Sequence, residues 1–184
     1  MKYSSLFLAL FLNLLACGRP NEADQRTEGN INMEAVNTES LYDSAMLAYD
    51  NQDYTQAILH FDALLKIDST LSDAWHDRGL CHYMLENYDK AESDVQTSMK
   101  LDSTYPAGWL QLGLIYRKKN QTDNALNAIN TGLSLDSTYA EAWFEAGAIC
   151  MDKGKVNEAC FRFQKAANLG FEAAKQALNR FCHE

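Results

Sequence analysis

The chain has 184 residues, 47% of them hydrophobic and 22% charged, with 9 Gly, 2 Pro and 5 Cys. That composition suits one globular domain and excludes collagen-like, low-complexity and disulfide-framework chains. A formal net charge of -9 and a pI near 4.9 argue against a nucleic-acid partner, because affinity for phosphates comes mainly from Lys and Arg displacing counterions.

Residues 1–17 read MKYSSLFLALFLNLLAC: one Lys at position 2, then an apolar run from Leu6 to Ala16 broken only by Asn13. A bilayer-spanning helix needs about 20 apolar residues, so the run is too short to span and has the layout of a secretory signal. It ends in Leu14, Leu15, Ala16 and Cys17, which resemble the lipobox of bacterial lipoproteins. That resemblance implies a signal peptide over 1–16 and lipidation of Cys17. One acyl chain holds only marginally at about 0.8 kcal/mol per buried CH2, and the two or three chains the family implies would make release slow. Gly18 stands where the family's inner-membrane retention signal has Asp, so the resemblance points to the outer membrane of a bacterial cell envelope. Behind Cys17 the segment to residue 37 is polar, holds Pro20, and has too little apolar surface to offset ordering entropy. It reads as a flexible tether.

A 34-residue period organises the rest. Trp75, Trp109 and Trp143 are spaced by it, with Leu41 one period earlier. Alanine recurs at Ala57, Ala91, Ala125 and Ala159, a core-sized residue at Phe61, Val95, Ile129 and Phe163, and Asp-Ser-Thr closes three units at 68–70, 102–104 and 136–138. This pattern resembles the tetratricopeptide repeat. The resemblance implies an all-α solenoid of four helix-turn-helix repeats at 38–71, 72–105, 106–139 and 140–173, followed by a C-terminal capping helix. The departures are Ser69, Ser103 and Ser137, where the family usually has proline, and Arg78, where leucine is typical.

Periodicity within a unit supports two helices independently: Trp75, Gly79, His82 and Tyr83 share one face, and Ala91, Val95, Ser98 and Met99 repeat it after a break at 86–88. Gly79, Gly113 and Gly147 are costly in helices and mark close approach to the facing alanines. The tryptophans are expected in the core, and Arg78 is expected to snorkel or to pair with an acid. Pro106 suits a helical first turn, Ser and Thr of the Asp-Ser-Thr triplets are expected as N-caps, and Thr138 with Glu141 forms a capping box. After the fourth unit Phe171, Ala174, Leu178 and Phe181 lie on one stripe, so residues to 184 read as a cap over the open end.

With Cys17 lipidated, Cys81, Cys150, Cys160 and Cys182 remain, with three pairings open to them in an oxidising compartment. A helix reversal near Gly170 would bring Cys160 to Cys182 and staple the cap, while Cys81 and Cys150 stay as buried thiols. His60, His76, His82 and His183 stand in no metal-ligand or triad spacing, and there is no Cys-x-x-Cys, His-Glu-x-x-His or glycine-rich phosphate loop. No enzyme, metal or cofactor is expected.

In the repeat family the first helix of each unit lines a concave groove. Carried over, this implies a protein-binding surface of Tyr42, Asp43, Met46, Tyr49 and Asp50, then His76, Asp77 and Tyr83, then Arg117 and Lys118, and finally Phe144 and Glu145. The same register adds Glu39, then Asp73, Leu80 and Met84, then Ala107, Leu110, Gln111 and Leu114, and finally Glu141, Ala148, Met151 and Asp152. Such a groove is acidic and aromatic, and suits a basic or apolar segment of another envelope protein. The expected function is a lipid-anchored, non-catalytic interaction scaffold; the alternative is an envelope module that binds a cell-wall glycan.

Overall fold

The computed structural model describes residues 38–182, so the expected signal peptide, Cys17, the expected tether to residue 37 and His183 lie outside the described residues. Every regular element among the described residues is an α-helix. In chain order they are α1 over 38–50, α2 Tyr54–Ile67, α3 Ser72–Met84, α4 Tyr88–Leu101, α5 Pro106–Lys118, α6 Thr122–Leu135, α7 Ala140–Asp152, α8 Val156–Asn168 and α9 Glu172–Phe181. This is the four-repeat solenoid with a closing helix. None of these helices is long and apolar enough to cross a membrane.

The reversal inside each pair has one recurring chemistry. Gln52, Glu86, Asn120 and Gly154, one period apart, take positive φ between 60° and 71°, and the two residues after each helix end bond back to its last turn. In the second unit Glu86 N–H donates to Tyr83 O at 2.9 Å and Asn87 N–H to His82 O at 2.8 Å, a Schellman closure that satisfies orphan carbonyls. The same closure recurs at Gly170, which sends the chain into α9.

Between repeats the Asp-Ser-Thr triplets act as turn locks rather than as N-caps. Asp68, Asp102 and Asp136 are the C-caps of α2, α4 and α6, and each carboxylate accepts both the N–H and the hydroxyl of the Thr two residues on, at 2.6–2.9 Å. Each Thr falls one residue ahead of the N-cap position of the next helix, so its hydroxyl does not cap that helix. The N-cap positions fall instead on Leu71, Tyr105 and Tyr139, none with a side-chain bond, and the expected Thr138 and Glu141 box does not form. Pro106 does occupy the first turn of α5.

The tryptophans belong to this turn as well. Trp75, Trp109 and Trp143 are half-buried, not core, and their indole N–H groups donate to Ser69 O, Ser103 O and Ser137 O at 2.9, 3.4 and 2.9 Å. The core is smaller side chains: Phe61, Leu64, Val95, Ile115, Ile129 and Ile149 are fully buried. Where α3 and α4 cross, a Cβ on Gly79 would lie 2.9 Å from Val95 Cγ2 and 3.4 Å from Ala91 O; Gly113 faces Ile129 and Ala125 O, and Gly147 faces Phe163 and Ala159 O in the same way. Arg78 pairs rather than snorkels. It grips Asp94 with Nε and Nη2 at 2.8 and 2.7 Å, reaches Asp62 with Nη1 at 2.7 Å, and lies 4.5 Å over the Trp75 ring.

At the C-terminal end Ala174 and Ala177 are the buried members of α9, Leu178 is half-buried and Phe181 lies outside, 43% exposed. The buried stripe is therefore narrower than expected, and the Arg180 guanidinium lies 5.0 Å over the Phe181 ring. Cys160 and Cys182 are bridged across α8 and the end of α9 with Cα atoms 5.7 Å apart. Cys81 and Cys150 are buried free thiols; burial pushes the Cys81 thiol up to about 12.

Candidate binding groove

Each repeat buries its alanine-lined faces between its two helices, and the odd-numbered helices also touch across repeats, α3 to α5 and α5 to α7. The even helices do not meet to the same extent, so the stack bends with the odd helices on its inner wall. The side chains singled out from the sequence all belong to these odd-numbered helices.

On α1, Tyr42, Met46 and Tyr49 are half-buried and Asp43 and Asp50 exposed. The Tyr42 ring meets Phe61 edge-on at 5.9 Å, and its hydroxyl donates to Asp77 Oδ2 at 2.6 Å. Burial first, then that carboxylate, pushes the Tyr42 hydroxyl far above its ordinary range, so it stays a donor. Asp77 also faces His76 Nδ1 at 3.0 Å, and the His76 ring stands edge-on to Tyr105 at 5.1 Å. Tyr49 leans on Tyr54 and Tyr83 on Tyr88, at 5.5 and 5.8 Å. Each tyrosine is thus held by its core side.

On α5 the Arg117 guanidinium is already committed across the repeat boundary, with Nε 2.8 Å from Asp152 Oδ2 and Nη1 3.2 Å from Glu145 Oε2. Burial raises the Glu145 carboxyl, and Arg117 opposes that shift. Lys118 is exposed. Phe144 lies apart from the others: it packs on Phe163 and Phe171 at 5.5 and 5.1 Å and belongs to the closing core under α9. The inner wall thus holds two linked clusters, Tyr42 with His76 and Asp77, and Tyr83 near Arg117 and Glu145.

Two residues of the wall went unmarked in the sequence, Tyr105 and Tyr139. They stand just ahead of α5 and α7, outside the helix positions that the repeat register supplies, yet they recur at the 34-residue period with Leu71. Between α3 and α5 the wall opens into a hollow of about 210 Å³ lined by Leu80, Tyr83, Leu110, Gln111, Leu114 and Tyr139 among others. A larger one of about 450 Å³ lies between α1 and the start of α3, bordered by Tyr42, Asp43, Leu71 and Asp73. Among the described residues no group of three or more His, Cys, Asp or Glu could hold a metal ion.

Models of the tetratricopeptide repeat match residues 42–106 and 106–139. Among solved structures, that of MamA is similar with a TM-score of 0.69 and 22% identity, over 86% of this chain and 99% of that one. YrrB, described as a TPR protein with an unusual peptide-binding site, gives 0.60 and 21% identity over 71% and 67% of the two chains. The first TPR of Spaghetti (RPAP3) bound to the HSP90 peptide SRMEEVD gives 0.61 and 18% over 64% and 93%. At these identities the likeness speaks for the fold. No curated protein matches the sequence.

Proposed function

Because this chain belongs to the tetratricopeptide-repeat family, we propose that it is a non-catalytic interaction scaffold, lipid-anchored through Cys17 at a bacterial cell envelope, whose groove grips a basic or apolar segment of another protein. The observation that carries the reading is the wall of tyrosines. Tyr42, Tyr49 and Tyr83 are fixed on one side by Phe61, Tyr54 and Tyr88 and are left half-exposed on the groove side. Rigid aromatics that are already positioned lose little entropy on binding, and they supply most of the contact energy in interfaces. Asp43 and Asp50 beside them add a field that attracts basic segments and speeds encounter.

YrrB and the Spaghetti repeat, two neighbours in fold, take peptides by their descriptions, which supports a peptide-shaped partner here. The charge preference would differ from that of an acidic peptide such as SRMEEVD, since Arg117 is spent on Glu145 and Asp152. The glycan alternative is less favoured, because all three indole N–H groups are used inside the turns and Arg78 and Arg162 lie over the Trp75 and Trp143 rings. The anchor would confine partner and scaffold to one surface and raise their effective concentration for each other.

The groove is tested by pull-down from solubilised envelope. A Tyr49→Ala, Tyr83→Ala double variant of unchanged helicity should lose the recovered protein, and retained recovery would move the site off the inner wall. Cys17→Ser should abolish incorporation of a labelled fatty acid; label that persists would contradict lipidation at that residue.

A further inference from the structure

The hollow of about 450 Å³ between α1 and the start of α3 coincides with a break in the 34-residue period. Leu71 holds the position that Tyr105 and Tyr139 hold one and two periods later. At the next seam the Tyr105 ring stands edge-on to His76, the counterpart of Tyr42, at 5.1 Å. At the seam after that, Tyr139 packs in the cluster of Leu110, the counterpart of His76. Leucine is too short to reach as far as a tyrosine ring, so space that a ring takes at the later seams is left to an occupant from outside. Half-buried Tyr42 and Leu71 wall that space, and exposed Glu39, Asp43 and Asp73 border it. Among the described residues no Lys or Arg lines it.

Charge selects the occupant. Residues 38–105 carry 13 Asp and Glu against four Lys and Arg, whereas 106–182 carry seven against nine, so a basic group is drawn to the first two repeats rather than to the whole wall. Glu39 and Asp43, four residues apart, share one face of α1, and Asp73 joins them from the first turn of α3. Carboxylates from two helices suit a guanidinium, whose planar fork of donors addresses more than one acceptor at once. A lysine ammonium is a compact, strongly hydrated charge and gives up more on leaving water. The apolar stem of an arginine also matches the walls of Tyr42 and Leu71. We propose, resting on the groove reading above, that this hollow docks one arginine side chain of the partner segment, its stem along Tyr42 and Leu71 and its guanidinium among Glu39, Asp43 and Asp73.

The probe is the end-blocked peptide Gly-Ser-Arg-Ser-Gly, with two analogues that carry Lys or the uncharged isostere citrulline at the centre. Each is titrated into the detergent-solubilised, isotope-labelled full chain and followed by two-dimensional NMR. The Arg peptide should shift the amide signals of Tyr42, Asp43, Leu71 and Asp73 saturably. Citrulline should bind about tenfold more weakly, as expected for lost charge-assisted hydrogen bonds, and Lys several-fold more weakly. Leu71→Tyr restores the ring of the later seams; it should keep the helicity of the chain and weaken the Arg peptide by about tenfold or more. Glu39→Gln with Asp73→Asn should weaken it similarly with the hollow left open. Citrulline or Lys binding as well as Arg would overturn the proposal, and those arms need no variant to fold. Shifts confined to α5 and α7, or undiminished binding by Leu71→Tyr, would overturn it too. Tyr49 and Tyr83 do not border the hollow, so their pull-down is a separate result and failure here leaves the groove itself standing.

Discussion

A methyl group placed on Gly113 sets two effects of opposite sign against each other. Alanine in a helix interior is favoured over glycine by about 1 kcal/mol. The added Cβ, however, would run into Ile129 and lie 3.0 Å from Ala125 O, which is backbone and cannot turn aside. Overpacking of this kind costs about 1–3 kcal/mol, so Gly113→Ala should lower stability in urea titrations. At Glu86 the sign reverses: its φ is 61° on the exposed turn, and Glu86→Gly should raise stability by up to about 1 kcal/mol in the same assay. The close approach at the helical glycines was readable because glycine is expensive there. The tryptophans were readable as period markers, but not as half-exposed turn locks, since an indole can fill a core or donate to a carbonyl with equal ease. Thr138 could likewise serve Asp136 or cap α7, and only the geometry of the turn decides between them.

At the scale of the element, the three Asp-Ser-Thr turns tie stability to pH. Bonds from the Thr hydroxyls and N–H groups hold Asp68, Asp102 and Asp136 below the ordinary aspartate range. The folded chain therefore binds protons less readily than the unfolded one; the contribution is complete above about pH 4 and is lost as pH falls through the lowered values. Asp68→Asn, Asp102→Asn and Asp136→Asn together should flatten the fall of unfolding free energy in acid, measured by urea titration from neutral pH downward. His82, lowered mainly by burial, adds a loss that starts earlier, below about pH 6.5, and survives in that variant. The cap depends on redox state instead. The Cys160–Cys182 bridge spans 22 residues, worth about 3 kcal/mol in the chain-entropy model, so reduction should lower the melting temperature and speed hydrogen exchange in α9 first. The groove was legible from helix register where side chains sit on α1, α3 and α5. Tyr105 and Tyr139 escaped because they precede their helices, and Phe144 turns to Phe163 and Phe171, a packing that register alone does not reveal.

For the repeat array as a whole, contacts run almost wholly between neighbouring helices, so local stability should follow position along the stack. Amide exchange should be slowest in α3 to α6, which have neighbours on both sides, and faster in α1; uniform protection would contradict an array of nearest-neighbour couplings. The seams between repeats are not equivalent. Lys119 reaches back to Asp89 and Glu92, and Lys153 reaches back to Asp123, one period on. At the first seam the matching positions hold Leu85 and Thr55, and the join is made instead by Arg78 on Asp62 and by Tyr42 on Asp77. Solvated ion pairs fade in concentrated salt, whereas shielded ones and neutral hydroxyl bonds persist. In brine the Lys119–Asp89 and Lys153–Asp123 ties, whose carboxylates stand 91% and 83% exposed, would therefore slacken, while Tyr42 on Asp77 in the earliest joint would hold.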